Sequence, residues 1–302
     1  MSKTLKILSR PQGNAEEYGR WSVNPYKGCS HGCLYCYLKK GVWANGLGGS
    51  TAQLKSGVVN EEHAYHLAMA EIIEHRNEII RDGGLFMTFT SDPCVEETRD
   101  LFFKIVKDAM EKRVPVVLLT KNADFTKEYY YGNIRWRLSL RYSYGHDVAF
   151  GWTLTGHNEL EPNAHSNEMR LQEMTRVHRD GFKVWASIEP VIDFPSSLDM
   201  IYQALDAGCQ HFKIGLLTNN TRVVRKDFEF GEHQFEAYDL AKCVEFVESV
   251  MAVTKDRATV YWKQSFVDFF GDEPIHGMTA SEFLHQWPHS VDKDWNMFKK
   301  ED

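Results

Sequence analysis

Apolar runs and amphipathic stretches alternate along most of the chain. Trp21-Ser22-Val23-Asn24-Pro25-Tyr26 reads as a first strand. From Glu61 to about Arg81, Leu67, Ala70, Ile72, Ile73 and Ile80 recur at helical spacing among charges, and Asp82-Gly83-Gly84 ends that helix. A second strand over 85–90 and a second helix over 95–112 follow. Val114-Pro115-Val116-Val117-Leu118-Leu119 is a nearly continuous apolar strand of the kind a parallel sheet buries on both faces. The pattern then repeats: strand 147–155, helix 167–179, strand 182–188, helix 196–207, strand 211–217, helix 234–253, and a seventh strand over 258–263.

Strands separated by helices predict right-handed crossovers and a parallel sheet, curled into a partial or full TIM-type (β/α) barrel with its first loop after the first strand. The expected organisation is an N-terminal extension over 1–20, a barrel domain over 21–270, and a closing tail over 271–302 anchored by Phe283, Trp287, Trp295 and Phe298. Residues 41–58 are rich in glycine and small polar residues and read as a loop over the site.

The composition narrows this picture. With 43% hydrophobic and 13% aromatic residues among 302, the chain is not disordered. No apolar run approaches a membrane span and the start has no signal-peptide pattern, so a cytoplasmic protein with no membrane partner is expected. A formal net charge of -7 weighs against wrapping a long duplex. One local segment runs the other way: Asn133-Ile134-Arg135-Trp136-Arg137-Leu138-Ser139-Leu140-Arg141-Tyr142 interleaves three arginines with aromatics. It suits phosphates and stacked bases, and equally an ordinary amphipathic surface.

The chemistry is concentrated in the first loop. Cys29, Cys33 and Cys36, spaced Cys-x3-Cys-x2-Cys in a segment rich in Gly and Pro, hold half of the chain's six cysteines. Thiolates in so short a run are ligands for zinc or an iron-sulfur cluster. A closed zinc site wants four protein ligands, and no second Cys or His pair follows downstream. A cubane held by three cysteines keeps one iron free.

This loop, with Tyr35 just before the last cysteine, resembles that of the radical S-adenosylmethionine superfamily. Gly28-Cys29-Ser30-His31-Gly32-Cys33-Leu34-Tyr35-Cys36-Tyr37 is similar to the spore photoproduct lyase-like branch, as are Thr90-Ser91-Asp92, Thr120-Lys121 and Glu161-Pro162 through Arg170. Ser187-Ile188-Glu189-Pro190-Val191-Ile192 and Tyr261-Trp262-Lys263-Gln264 are also similar to phage-type radical proteins. The likeness covers roughly residues 20 to 265.

The resemblance implies a [4Fe-4S] cluster on Cys29, Cys33 and Cys36, and S-adenosylmethionine chelated at the open iron. It also implies reductive cleavage to a 5′-deoxyadenosyl radical acting on an unidentified substrate, with nucleic acid a candidate. An electron donor such as flavodoxin or ferredoxin is then an expected partner. Carried over by position, Ser91 and Asp92 would meet the methionine end of the cofactor, Lys121 its carboxylate, and Thr153 or Thr155 its ribose. Tyr35 and Tyr37 would flank cluster and cofactor, and Glu189 would bind polar groups of cofactor or substrate. Each has a plainer alternative as a cap or turn residue.

The family's hydrogen-donor cysteine, two residues before the serine of the second-strand motif, is Phe89 here. Cys94 is a candidate replacement donor if its side chain turns inward; otherwise it is a small buried apolar residue, as Cys209 and Cys243 are expected to be. The alternative from another class is a zinc- or iron-sulfur-binding adaptor without turnover.

Overall fold

The computed structural model describes residues 5–40, 44–124, 147–219 and 222–298. The arginine-aromatic segment Asn133 to Tyr142 lies outside them.

The strands, in chain order, are β1 (Leu8–Ser9), β2 (Ser22–Val23), β3 (Tyr26–Lys27), β4 (Gln53–Leu54), β5 (Leu85–Met87), β6 (Val116–Thr120) and β7 (Val148–Thr153). They continue with β8 (Lys183–Val191), β9 (His211–Leu216), β10 (Thr218–Asn219), β11 (Arg222–Val223), β12 (Phe228–Phe230), β13 (His233–Phe235) and β14 (Thr259–Trp262). Eight of them form one sheet in the order β1-β2-β5-β6-β7-β8-β9-β14. Every neighbouring pair is parallel except the antiparallel edge pair β1 and β2. The two ends of that order do not pair, so the barrel is partial: an open, curled sheet.

Helices cross between successive strands, as the periodicity predicts. Glu61–Glu74 and Arg76–Arg81 lie between β4 and β5, Arg99–Glu111 between β5 and β6, Asn167–Arg179 between β7 and β8, and Phe194–Asp206 between β8 and β9. Asn60, Ser166, Asp193 and Asp239 each accept a backbone N–H three residues on, which sets where their helices start. Asp239 is why the helix expected from residue 234 begins instead at Leu240; the residues before it form the aromatic hairpin β12–β13.

The strand expected over 21–26 is shorter than the pattern suggests. Pro25 has no N–H to give a ladder, and the chain leaves the sheet there. Tyr26–Lys27 instead pairs with Gln53–Leu54 in a separate two-stranded ribbon, so the small-residue loop after the cysteines is tied down beside them.

The sheet has two differently furnished faces. Its outer face packs on the helices through the main apolar core, with Trp152, Phe102, Phe150, Phe212 and Ile72 fully buried. The inner face carries a second cluster of Phe86, Val117, Ala149 and Trp185, joined by Tyr18, Phe89, Leu119, Met297 and Phe298. Gly151 makes room for the Trp185 ring, which a Cβ there would meet at 2.2 Å. The segment before β2 and the segment after β14 both reach this inner face: Tyr18 packs on Phe86 with centroids 5.4 Å apart, and Lys183 donates to the Met297 carbonyl. Among the described residues no helix is long and apolar enough to cross a membrane.

Candidate active site

Strands of a parallel sheet deliver their C-terminal ends to one rim, and the polar residues that follow each apolar run collect there. The cysteine loop leaves β3 at Gly28, whose φ of +79° places its Hα where a Cβ would lie 2.4 Å from the Thr51 carbonyl. No other residue fits. Gly28 and Cys29 donate to the Leu47 and Gly49 carbonyls, so the loop beyond the cysteines braces the loop that bears them. Cys33 is buried, Cys29 and Cys36 half-buried, and all three thiols are free. Burial and the nearby Asp92 carboxylate push the Cys29 thiol up; burial likewise raises Cys33.

Asp92 is the knot of the rim. Its carboxylate accepts from Cys94 N (2.8 Å), Thr120 Oγ1 (2.7 Å) and Lys121 N (3.0 Å), and pairs with His31 Nε2 at 3.1 Å. Burial works against the charged form, but His31 and these donors outweigh it and hold the carboxyl below its ordinary range. One side chain thus joins the end of β5, the end of β6 and the cysteine loop. With three hydrogen bonds and the His31 contact on it, Asp92 acts by fixing its neighbours.

A second buried tie runs on the other side of the loop. Tyr35 donates its hydroxyl to Glu161, whose other oxygen pairs with Arg170 at 2.6 Å; Arg170 also donates to the Thr153 carbonyl at 2.8 Å. The Glu161 and Arg170 side chains are both 0% exposed, so this pair clamps the cysteine loop to the end of β7 in a low-dielectric setting. Neither residue has a role in the reading of the sequence beyond lying in a matching segment. The signal was an acid and a base nine residues apart around the predicted helix start.

Two groups on the rim are left with open valences. The Ser91 hydroxyl is buried and has no hydrogen-bond partner among the described residues. Lys121 has no ion pair with a described carboxylate; its ammonium lies 5.6 Å from the Tyr35 ring centre. Burial disfavours that ammonium, yet the neighbouring Cys33 sulfur and Glu161 carboxylate raise it above its usual range, so it stays charged.

The other candidates fall elsewhere. Thr153 is buried at the end of β7, whereas Thr155 accepts from His157 N at 3.2 Å and gives its own N–H to Asn167, a turn arrangement. Tyr37 is 56% exposed and donates to the Phe89 carbonyl. Cys94 is wholly buried in the main apolar core, its N–H on Asp92. His31, which as a loop residue reads as exposed, is buried by its contact with Asp92.

Glu189 belongs to a separate group. Lys263 donates to both its oxygens at 2.7 Å and reaches Glu17 at 3.2 Å, while Tyr18 donates to Glu189. The Ser187–Ile192 and Tyr261–Gln264 segments, far apart in sequence, are thus joined by one ion pair. Glu17, Tyr18 and Lys213 were not singled out from the sequence. The lysine inside the apolar run His211–Leu217 was the available signal for the last of them.

Among the described residues no three His, Cys, Asp or Glu side chains converge on a single metal ion. A cubane takes one thiolate per iron, so its ligands need not meet at a point. Three free thiols on one braced loop, with the unpartnered Ser91 hydroxyl and the charged Lys121 on the same rim, fit that group and a zwitterionic ligand beside it.

No protein-family model matches the chain. It is 25% identical over 193 residues to an uncharacterised protein of Methanocaldococcus jannaschii, a match that takes in 61% of this chain and 64% of that protein's length. Among solved structures it superposes on a spore photoproduct lyase complexed with dinucleoside spore photoproduct, with a TM-score of 0.57 at 16% identity over 87% of this chain and 81% of that one. Streptococcus suis SuiB bound to S-adenosylmethionine gives a TM-score of 0.53 at 10% identity over 90% of this chain and 56% of that one. This chain shares its fold with spore photoproduct lyase and SuiB.

Proposed function

We propose that the chain is a radical S-adenosylmethionine enzyme that holds a [4Fe-4S] cluster on Cys29, Cys33 and Cys36. When bound, the cluster would supply the electron that splits S-adenosylmethionine into methionine and a 5′-deoxyadenosyl radical. The observation that carries this reading is the coincidence, on one rim, of three free thiols with a buried unpartnered hydroxyl and an ammonium lacking a described carboxylate.

The protein's own contribution is placement. Lys121 offers an ammonium to a ligand carboxylate and Ser91 a hydroxyl to its polar end, both positioned by Asp92 through the Lys121 backbone N–H and the Cys94 backbone N–H. The Glu161–Arg170 clamp on Tyr35 keeps the cysteine loop against β7, and Tyr35 covers the buried side of that loop. Burial of the rim excludes water from a reactive intermediate.

The substrate would lie against the inner face of the sheet. The neighbour that is complexed with a dinucleoside photoproduct favours a nucleic acid, but with Phe89 standing where that branch keeps its donor cysteine, the same repair route is not proposed. Anaerobic reconstitution followed by incubation with dithionite and S-adenosylmethionine tests the reading: 5′-deoxyadenosine should appear, and should vanish in Cys33→Ala. Stoichiometric zinc in place of iron would favour a metal-binding adaptor instead.

A further inference from the structure

The inner face of the sheet changes character along its strands. On β5, β6 and β7 its inward positions include Phe86, Val117, Leu119, Ala149 and Gly151, with Trp185 on β8 in register with Gly151; the next inward row, Thr153, Ser187, Lys213 and Tyr261, runs in register across β7, β8, β9 and β14 and is followed by Lys263. Charged side chains on the inside of a sheet carry a desolvation cost unless they are paired.

Most of these are paired. Lys263 spans Glu17 and Glu189, Tyr18 donates to Glu189 and lies 2.7 Å from Ser187 Oγ, and Glu17 Oε1 accepts from Tyr261 (3.1 Å) and Gln264 N (2.6 Å). Lys213 is the exception. Its ammonium donates to one backbone carbonyl, that of Glu17, and has no described carboxylate within ion-pair distance. Its other N–H groups meet the rings of Tyr18, Trp185 and Tyr261, with centroids 5.3, 5.9 and 5.8 Å away. Lys213 is nonetheless partly open, and Glu189 beside it keeps 24% of its side chain exposed, so a ligand can reach both.

We propose that Lys213 anchors an anionic oxygen of the substrate, a phosphate or a carboxylate, with the rings of Tyr18, Trp185 and Tyr261 flanking the body attached to it. This rests on the enzyme reading above only in calling the ligand a substrate. An anion supplies the acceptor the ammonium lacks, and the three rings suit a flat or apolar body. Glu189 is held by Lys263 and Tyr18, so the donors in this cluster with hydrogen-bonding capacity to spare are the Lys213 ammonium and the buried Trp185 indole N–H.

The electrostatics agree. Burial, then the neighbouring Lys263, lower Lys213 to about 7 against the opposing pull of Glu17 and Glu189. Tyr18 and Tyr261, which also face it, are raised above their ordinary range by burial and stay neutral, and His211, two residues before it on β9, is lowered by burial and then by Lys213 and is neutral too. An anion bound to the protonated form raises Lys213 again, so binding takes up a proton wherever the free amine is neutral, above about pH 7.

The test uses the reconstituted enzyme and two probes, thymidylyl-thymidine for a phosphate and alanyl-alanine for a carboxylate, with Kd measured by calorimetry from pH 6.5 to 9. One probe should bind with Kd rising about tenfold per pH unit above pH 7.5. Lys213→Met should weaken it at least tenfold at pH 7 and remove the slope; Lys213→Arg, charged throughout, should bind and lose the slope. Failure of both probes to bind, a pH-independent Kd in the wild type, or binding unchanged in Lys213→Met would each overturn the proposal. 5′-Deoxyadenosine formation without probe is measured on the same wild-type samples. Its absence in the wild type would count against the enzyme reading and not against Lys213, since the binding measurement needs no turnover.

Discussion

The rim around the cysteine loop and the inner wall formed by β8, β9 and β14 are both built from buried charge, but they are wired differently. On the rim, the paired side chains also grip backbone: Asp92 accepts from the N–H groups of Cys94 and Lys121 besides Thr120, and Arg170 donates to the Thr153 carbonyl besides pairing with Glu161. They fix loops, and among the described residues leave the Ser91 hydroxyl without a hydrogen-bond partner and the Lys121 ammonium without a paired carboxylate. On the wall, side chain meets side chain across three strands and the segment before Trp21, with Lys263 between two carboxylates. A region that holds loops still for a ligand differs from one that holds itself shut, and substitutions should tell them apart.

The largest difference should come from Cys29, Cys33 or Cys36 to Ala, which should remove iron and lower 5′-deoxyadenosine formation more than a hundredfold. The fold should survive each change, because none of the three is a large core side chain. Next comes Lys263→Met. It strands Glu17 and Glu189 without their cation, so a loss of about 3 to 5 kcal/mol in denaturant unfolding is expected, with iron content per folded chain unchanged. If iron falls along with stability, the two regions are not separable.

Glu161→Gln keeps an acceptor for Tyr35 but leaves Arg170 uncompensated. It should cost a comparable amount, about 3 to 5 kcal/mol, and, unlike Lys263→Met, should also reduce iron retention, since it loosens the cysteine loop. The smallest stability effect belongs to Ser91→Ala, within about 0.5 kcal/mol because the hydroxyl has no partner to lose. The same change should weaken S-adenosylmethionine binding about tenfold by equilibrium dialysis, which is the cost of one unmade hydrogen bond in a buried site. A large stability loss there would mean the hydroxyl serves the fold.

The same contrast marks what could be read from the sequence. The alternation of period-two and period-3.6 segments carries local information, and it placed the central-sheet strands from Leu85 onward and the helices between them, but not the short ribbons β10 to β13. It overextended the first strand because Asn24-Pro25 looks extended in sequence while Pro25 cannot continue a ladder. The rim was legible because its residues sit directly after apolar runs: Ser91, Asp92 and Lys121 follow β5 and β6. The wall was not, because Glu17 and Tyr18 come from a turn before the first predicted strand and meet Lys263 some 250 positions away, about as non-local as a contact in this chain can be.

The most direct check on the three-thiolate cluster is a single anaerobic measurement: iron, sulfide and 5′-deoxyadenosine in one reconstituted sample given dithionite and S-adenosylmethionine. About four irons and four sulfides per chain, with 5′-deoxyadenosine that disappears when Cys29, Cys33 or Cys36 is replaced by alanine, is the predicted result. Stoichiometric zinc without iron, or a loaded cluster that yields no 5′-deoxyadenosine, would contradict it.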